Sequence, residues 1–302
     1  MPTAVVSSGL TLPLALLKAM RPQQWTKNVL LFPALLFSQN LFHWRETVLV
    51  CAACAVFCLL SSGVYLLNDL LDIENDRAHP LKRHRPLASG ALPVPVGIAA
   101  CGGLSAGALA AAFWLSTPFA WTAVAYFLLQ VAYTVRLKHV VILDVGCIAA
   151  GFVLRAIAGG QVIAVTISSW LLICAMLLSL FLALGKRRHE LLLLEDGATA
   201  HRRILGEYTP DLLDQMISIV TAATVVCYTF YTVAPETVAK FGTTRLVFTV
   251  PFVLYGIFRY LYLIHRRQMG GSPEKALLND GASLANLVLY GLAVVAILYW
   301  LR

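Results

Sequence analysis

Residues Val56–Gly90 read VFCLLSSGVYLLNDLLDIENDRAHPLKRHRPLASG, and the chain changes character at Asn68. Before it lies a run of mostly apolar or small residues. After it come Asp69, Asp72, Glu74 and Asp76, then Arg77, Lys82, Arg83 and Arg85. Asn68, Asp72 and Asp76 are spaced i, i+4, i+8, with Asp69 beside the first, so a helix lays these groups along one face, roughly one turn apart. Stacked carboxylates repel unless a cation neutralises them. Hard oxygen donors with one amide suit Mg2+, an ion that keeps several waters and bridges to phosphates. The stretch therefore reads as a magnesium site formed by Asn68, Asp69, Asp72 and Asp76. The competing reading is a solvated helix end whose acids pair with Arg77 and Lys82. Lys82, Arg83 and Arg85 follow within four positions, and cations beside a metal suit a polyanionic ligand.

Composition explains why such a stretch follows an apolar run. The 302 residues are 59% hydrophobic and 13% charged, against about 25% charged in soluble domains. A water-soluble core cannot absorb this much apolar sequence, so the chain reads as an integral membrane protein, all-α and polytopic. Its mild apolar start, LTLPLALL, has no positive charge before it and no cleavage pattern after it, unlike a removable leader. The seven cysteines lie in apolar runs. Cys51, Cys54 and Cys58 share a helix face, but they read as small buried hydrophobes rather than metal ligands. The seven histidines are scattered without paired ligand spacing, so nothing suits zinc.

About 20 apolar residues span the hydrocarbon core. Nine segments qualify: 24–42, 46–67, 94–115, 118–135, 140–160, 167–187, 212–233, 246–264 and 283–301. The first is the weakest, with Lys27 and Asn28 near its start. Eighteen of the 23 Lys and Arg residues fall on the side of the N-terminus and the even-numbered loops. The other side holds Arg45, Lys240, Arg245 and Arg302, while Arg155 falls inside a span. The positive-inside rule then puts the N-terminus in the cytoplasm and the C-terminus across the membrane. The net charge of +8 is thereby a topology signal, not a nucleic-acid footprint. The long loops 68–93 and 188–211 both face the cytoplasm, which is where function is expected; the second, with His201, Arg202 and Arg203, is a candidate lid. Gly103 and Gly107 form a small-xxx-small pair suited to close helix packing.

Three further clusters fall on the same side: RPQQWTKN with Lys27, YTVRLKHVVILD with Tyr133, Lys138 and Asp144, and LFLALGKRRHELLLL with Lys186, Arg187 and Glu190. Arg155 lies within GFVLRAIAGG, where an unpaired cation costs about 3 kcal/mol or more, so it needs a polar partner. Asp144 shares its face but stands about 16 Å away along a helix, too far to pair directly.

These residues carry a resemblance. N-D-x-x-D-x-x-x-D at Asn68–Asp76, followed by R-P-L-x-S-G at Arg85–Gly90, resembles the first motif of the UbiA-type membrane prenyltransferase superfamily. The likeness covers nearly the whole chain, read as one integral-membrane domain over residues 1–302. It implies about nine transmembrane helices around a central cavity open to the cytoplasm, with Mg2+ and a diphosphate at the first motif. Typical members carry a second acidic motif near the end of the sixth span, where this chain has Gly185-Lys186-Arg187-Arg188-His189-Glu190. That departure resembles the decaprenyl-phosphate phosphoribosyltransferase branch, as do R-P-x-Q-W-x-K-N, H-P-x-K-R-x-R-P, L-x-R-A-I-A-G-G and G-K-R-x-x-E-L.

The resemblance implies a Mg-dependent pentosyltransferase in the inner or plasma membrane, with phosphoribosyl diphosphate as donor and a polyprenyl phosphate as acceptor. Its product would serve lipid-linked pentose and cell-envelope synthesis. Asp72, Asp76 and Lys82 are its expected catalytic residues. Lys27, Tyr65, Lys82 and Arg83 are expected on the donor. Lys138, Arg155, Lys186 and Arg187 are expected on the remaining phosphates, with Glu190 orienting a cation and Tyr133 nearby. An oligomer is compatible with all of this. The rival readings are an isoprenyl-diphosphate-dependent prenyltransferase, which would favour retained acids in the second motif, and a transporter, which would favour inverted repeats.

Overall fold

Proline sets most of the helix starts, because the first turn has no use for the missing N–H. In the computed structural model, which describes residues 11–80, 82–195, 206–267, 269–271, 276 and 279–300, it stands at the first or second position of eight helical elements. The chain runs α1 (Leu12–Ala19), a 3-10 segment (Pro22–Leu31), α2 (Pro33–Phe37), α3 (Trp44–Leu71), α4 (Ile73–Ala78), α5 (Val94–Leu115), α6 (Thr117–Val135) and α7 (Leu143–Val162). It continues with α8 (Ser169–Glu195), α9 (Pro210–Val233), α10 (Pro235–Phe241), α11 (Val250–Arg266) and α12 (Gly281–Tyr299). No strand occurs among the described residues.

Among the described residues, eight helices are long and apolar enough to cross a membrane: α3, α5, α6, α7, α8, α9, α11 with the 3-10 turn before it, and α12. The protein is all-α and polytopic. The expected span 24–42 has a different build. Its first part is the 3-10 segment, Pro33 opens the short α2, and Gln39 has a left-handed backbone, φ 63°. The candidate lid 188–211 is partly helix, since α8 runs on to Glu195; His201, Arg202 and Arg203 lie outside the described residues.

The helices form two compact units, one of residues 1–137 and 154–166, the other of 138–153 and 167–302. In the first, α3 packs on α5 and on the 3-10 segment, around Phe57, Leu60, Phe119 and Tyr126. The α3–α5 approach is closest at Gly63, where a Cβ would stand 2.3 Å from Ser105 Oγ. Gly103 and Gly107 do not supply this packing. A Cβ on either would meet nothing within 4 Å, because Ser105, Ala108 and Ala112 form the inward face of α5. The second unit is built on α8 against α9 and α11 against α12, with Phe181, Leu184, Leu213, Ile217, Tyr260 and Leu263 in its core.

Candidate functional site

The charged end of α3 is built by a helix that outlasts its apolar run. α3 continues four residues past Leu67, so Asn68 and Asp69 are helical. Asp72 leaves helical geometry (φ −101°, ψ 10°), and α4 begins at Ile73. The break is shallow. Asp72 N–H still donates to Asn68 O at 3.0 Å, and Asp76 N–H to Asp72 O at 2.8 Å. The one-turn spacing therefore survives across the break.

The four acidic-motif residues have two environments. Asp69 and Asp76 are buried, at 2% and 3% exposure. Arg85 Nη1 donates to both, at 3.1 Å and 2.6 Å, and Arg21 also pairs with Asp69 while its guanidinium lies over the Tyr65 ring. Buried carboxylates need such partners, because desolvation otherwise penalises their charge. Asn68 and Asp72 stay half-exposed. Beside them, the turn Lys82–His84 packs on α4, with Lys82 N–H donating to His79 Nδ1 at 3.3 Å. Lys82 is half-buried and Arg83 exposed. Lys27 is half-buried on the 3-10 segment. Among the described residues no hydrogen bond or ion pair ties Tyr133, half-buried near the end of α6, to this cluster.

Arg155 is buried in the same unit. Its Nε donates to Asn28 Oδ1 at 2.9 Å and its Nη2 to Tyr126 OH at 2.7 Å. Two partners of this cation inside a span are thus polar and uncharged, and Asp144 pairs with Arg187 instead.

Asp144 belongs to the second unit, where it is fully buried against Arg187, itself 2% exposed, at 2.6 Å. Arg187 Nη1 also donates to Glu190 Oε2 at 2.6 Å, one turn along α8. Tyr208 OH donates to Asp144 Oδ1 at 2.8 Å and accepts from Ile142 N–H at 2.8 Å. Ile142 has φ 69°, a strained value for a β-branched residue, and that hydrogen bond holds it. Burial pushes the Tyr208 phenol up to about 12. Lys186 reaches Glu190 Oε1 at 4.0 Å and is 44% exposed; Lys138 is half-buried on the turn Leu137–His139.

Each cluster thus gathers sequence-predicted residues, and each rests on residues that spacing did not identify. Arg21 lies 48 positions from Asp69, Asn28 lies 127 and Tyr126 29 positions from Arg155, and Tyr208 lies 64 positions from Asp144. Arg85, read from the sequence as a cation for a polyanionic ligand, pairs with Asp69 and Asp76.

Residues 29–287 match the model of the UbiA prenyltransferase family. This chain belongs to that family. Among UbiA relatives, a decaprenyl-phosphate phosphoribosyltransferase of Mycolicibacterium smegmatis is 35% identical over 276 residues, covering 88% of this chain and 86% of the relative. A protein of the same name from Corynebacterium glutamicum is 35% identical over 270 residues, covering 88% and 81%. The fold is that of a UbiA homologue from Archaeoglobus fulgidus solved with GPP and Mg2+, with a TM-score of 0.71 at 20% identity over 93% of this chain and 99% of that one.

A UbiA member raises the matter of a divalent metal. Among the described residues no cluster of three or more His, Cys, Asp or Glu could cage one. Arg21 and Arg85 engage Asp69 and Asp76, while an amide and a carboxylate, Asn68 and Asp72, are half-exposed a turn apart. That donor set does not fit a metal held wholly by protein. It fits Mg2+, which takes most of its ligands from water and phosphate.

Proposed function

We propose that this protein transfers the 5-phosphoribosyl group from phosphoribosyl diphosphate to a polyprenyl phosphate, with release of diphosphate. The observation that carries the reading is the frame at Lys186–Glu190. Where a prenyltransferase of this family would place a second set of acids, this chain builds around the buried Arg187. A donor with a diphosphate at C1 and a phosphate at C5, and an acceptor with a phosphate of its own, needs cations there. A neutral aromatic acceptor would not. The 35% identity to proteins named for this activity supports the same conclusion.

Asn68 and Asp72 would hold Mg2+, with Asp69 and Asp76 completing the acidic motif behind them. When bound, the ion supplies charge stabilisation to the leaving diphosphate. Lys27, Lys82 and Arg83 add cations for the same diphosphate, and Tyr65 helps to seat the donor through the Arg21–Asp69 pair. Asp76 keeps Arg85 in place beside Lys82. The C1–O bond to diphosphate breaks as C1 gains oxocarbenium character, and a phosphate oxygen of the acceptor forms the new bond. That oxygen is already anionic, so no general base is required. Lys138 and Lys186 would meet the remaining phosphates, with Glu190 and Arg187 fixing the helix that carries Lys186. The charge bias supports a plasma-membrane orientation with a cytoplasmic N-terminus and active site.

The test is a chloroform-extraction assay on membranes holding the full chain, supplied with labelled phosphoribosyl diphosphate and polyprenyl phosphate. Labelled lipid should form and should disappear with EDTA. Consumption of an isoprenyl diphosphate instead, with the phosphoribosyl donor untouched, would replace this reading with prenyl transfer. Undiminished turnover under chelation would remove the metal.

A further inference from the structure

The 3-10 segment Pro22–Leu31 has three residues per turn, so positions three apart share a face. Its burial follows that period. Asn28 and Leu31 are buried below half-buried Pro22 and Trp25; Gln24, Lys27 and Leu30 are all half-buried; Gln23, Thr26 and Val29 are all exposed. The inward face is fixed at each turn. Trp25 Nε1 donates to Ser62 Oγ at 3.0 Å, and Ser62 Oγ donates to Met20 O at 3.1 Å. Asn28 Nδ2 donates to Cys58 Sγ at 3.2 Å, while its Oδ1 accepts from Arg155. At Leu31 the backbone lies against Gly159, where a Cβ would come within 2.2 Å of Leu31 O. A segment with poor hydrogen-bond geometry, longer than such helices usually run, is thereby held from outside itself, twice by α7.

We infer that Arg155 is a positioning residue, which acts through Asn28 to hold the rotation of this segment and so the face that presents Lys27. Two of its donor directions end on buried neutral groups of the same unit, Asn28 and Tyr126, and its guanidinium stacks on the Tyr126 ring at 4.7 Å. A forked donor suits that task, since one planar group reaches two acceptors at a fixed angle; a lysine ammonium cannot reproduce it. Rotating a three-fold segment by one face would exchange Lys27 for Thr26 or Asn28. The small side of Gly159 and the Arg155–Asn28 bond oppose that rotation from one helix, four residues apart. What Lys27 then contacts rests on the phosphoribosyl-transfer reading; that it is held does not.

The experiment measures acetylation of the Lys27 amine by mass spectrometry, on the full chain in nanodiscs, alongside steady-state transfer. Arg155→Lys and Asn28→Ala should each change the Lys27 modification rate severalfold in the same direction, and the double variant should change it no further, because the two residues act as one unit. Gly159→Ala, which displaces the segment without touching the cation, should change it too. In transfer, the same variants should raise KM for the donor by about tenfold or more with kcat less affected, again without additivity. If Arg155→Lys and Asn28→Ala leave Lys27 modification at the wild-type rate while the proteins remain folded by circular dichroism, the inference fails. Additive losses, or a loss from Arg155→Lys that Asn28→Ala does not reproduce, would assign Arg155 a direct contact instead. Should the chain not use phosphoribosyl diphosphate at all, the modification rates still decide the positioning role.

Discussion

The two charged clusters solve the same problem in opposite ways. In the first unit the carboxylates are hidden and the guanidiniums show: Asp69 and Asp76 are buried, while Arg21 and Arg85 keep about a quarter of their surface. In the second unit both partners are hidden, Arg187 with Asp144, and the neighbouring Lys186 and Glu190 reach outward. The first arrangement divides the neutralisation of Asp69 between two cations from separate parts of the chain. The second concentrates it on one arginine. A shared arrangement tolerates the loss of a member better, whereas a buried pair leaves an uncompensated charge when either partner goes. The chemistry proposed for each follows the same division. The acidic cluster keeps Asn68 and Asp72 accessible for a metal, and the cationic one keeps lysine accessible for phosphate.

The comparison predicts its largest effect at the accessible acid. Asp72→Ala should lower transfer by about a thousandfold or more, since charge developing on the leaving group loses its main counter-ion. The variant should still fold, because Asp72 is half-exposed. Thin-layer separation of labelled lipid measures the activity. Retention of more than a tenth of it would remove Asp72 from the metal site.

Next come the two arginine truncations, which separate the shared from the concentrated arrangement. Arg187→Met should destabilise the protein by about 3–5 kcal/mol, as Asp144 is left charged and enclosed. Arg21→Met should cost less, about 1–3 kcal/mol, because Arg85 still reaches Asp69. Unfolding in detergent, followed by circular dichroism, gives both numbers. Equal losses would show that the first cluster is no more divided than the second. A paired Asp144→Leu, Arg187→Met variant should regain most of the stability lost by the single change.

Both clusters were partly legible in the sequence, and the legible part has a common cause. Spacing along one helix fixes which residues share a face, so Asn68, Asp72 and Asp76 were found in register, and the eleven-residue interval from Asp144 to Arg155 correctly excluded their pairing. Spacing does not fix how one helix is rotated against another. Arg21 with Asp69, Arg155 with Asn28 and Tyr208 with Asp144 are separated by 48, 127 and 64 positions and depend on that rotation. Glycine packing failed for the same reason: Gly103 and Gly107 have the right interval but lie on the wrong side of α5, while Gly63, with no partner at that interval, makes the contact. The first span differs because its apolar length was counted without weighing Pro33, which divides it.

A smaller effect is expected at Lys186. Lys186→Ala removes a cation that is 44% exposed, so transfer should fall by about tenfold through KM for a phosphorylated substrate, with stability unchanged within about 0.5 kcal/mol. A loss confined to kcat would instead place Lys186 on the leaving diphosphate.

The smallest effect sharpens the second cluster alone. Tyr208→Phe deletes one hydroxyl that both donates to Asp144 and accepts from the strained Ile142 N–H, and should cost about 1–2 kcal/mol near neutral pH. Its pH dependence is distinctive. Burial raises the phenol to about 12 in the folded protein, while an unfolded tyrosine titrates near 10. The folded state therefore binds this proton more tightly. The associated stability is fully present below pH of about 10 and is lost as pH rises towards about 12. The difference in unfolding free energy between wild type and Tyr208→Phe should accordingly stay flat from pH 6 to 9 and shrink above it. A difference that grew with pH would mean that Tyr208 is ionised in the fold, which a hydroxyl donating to a buried carboxylate forbids.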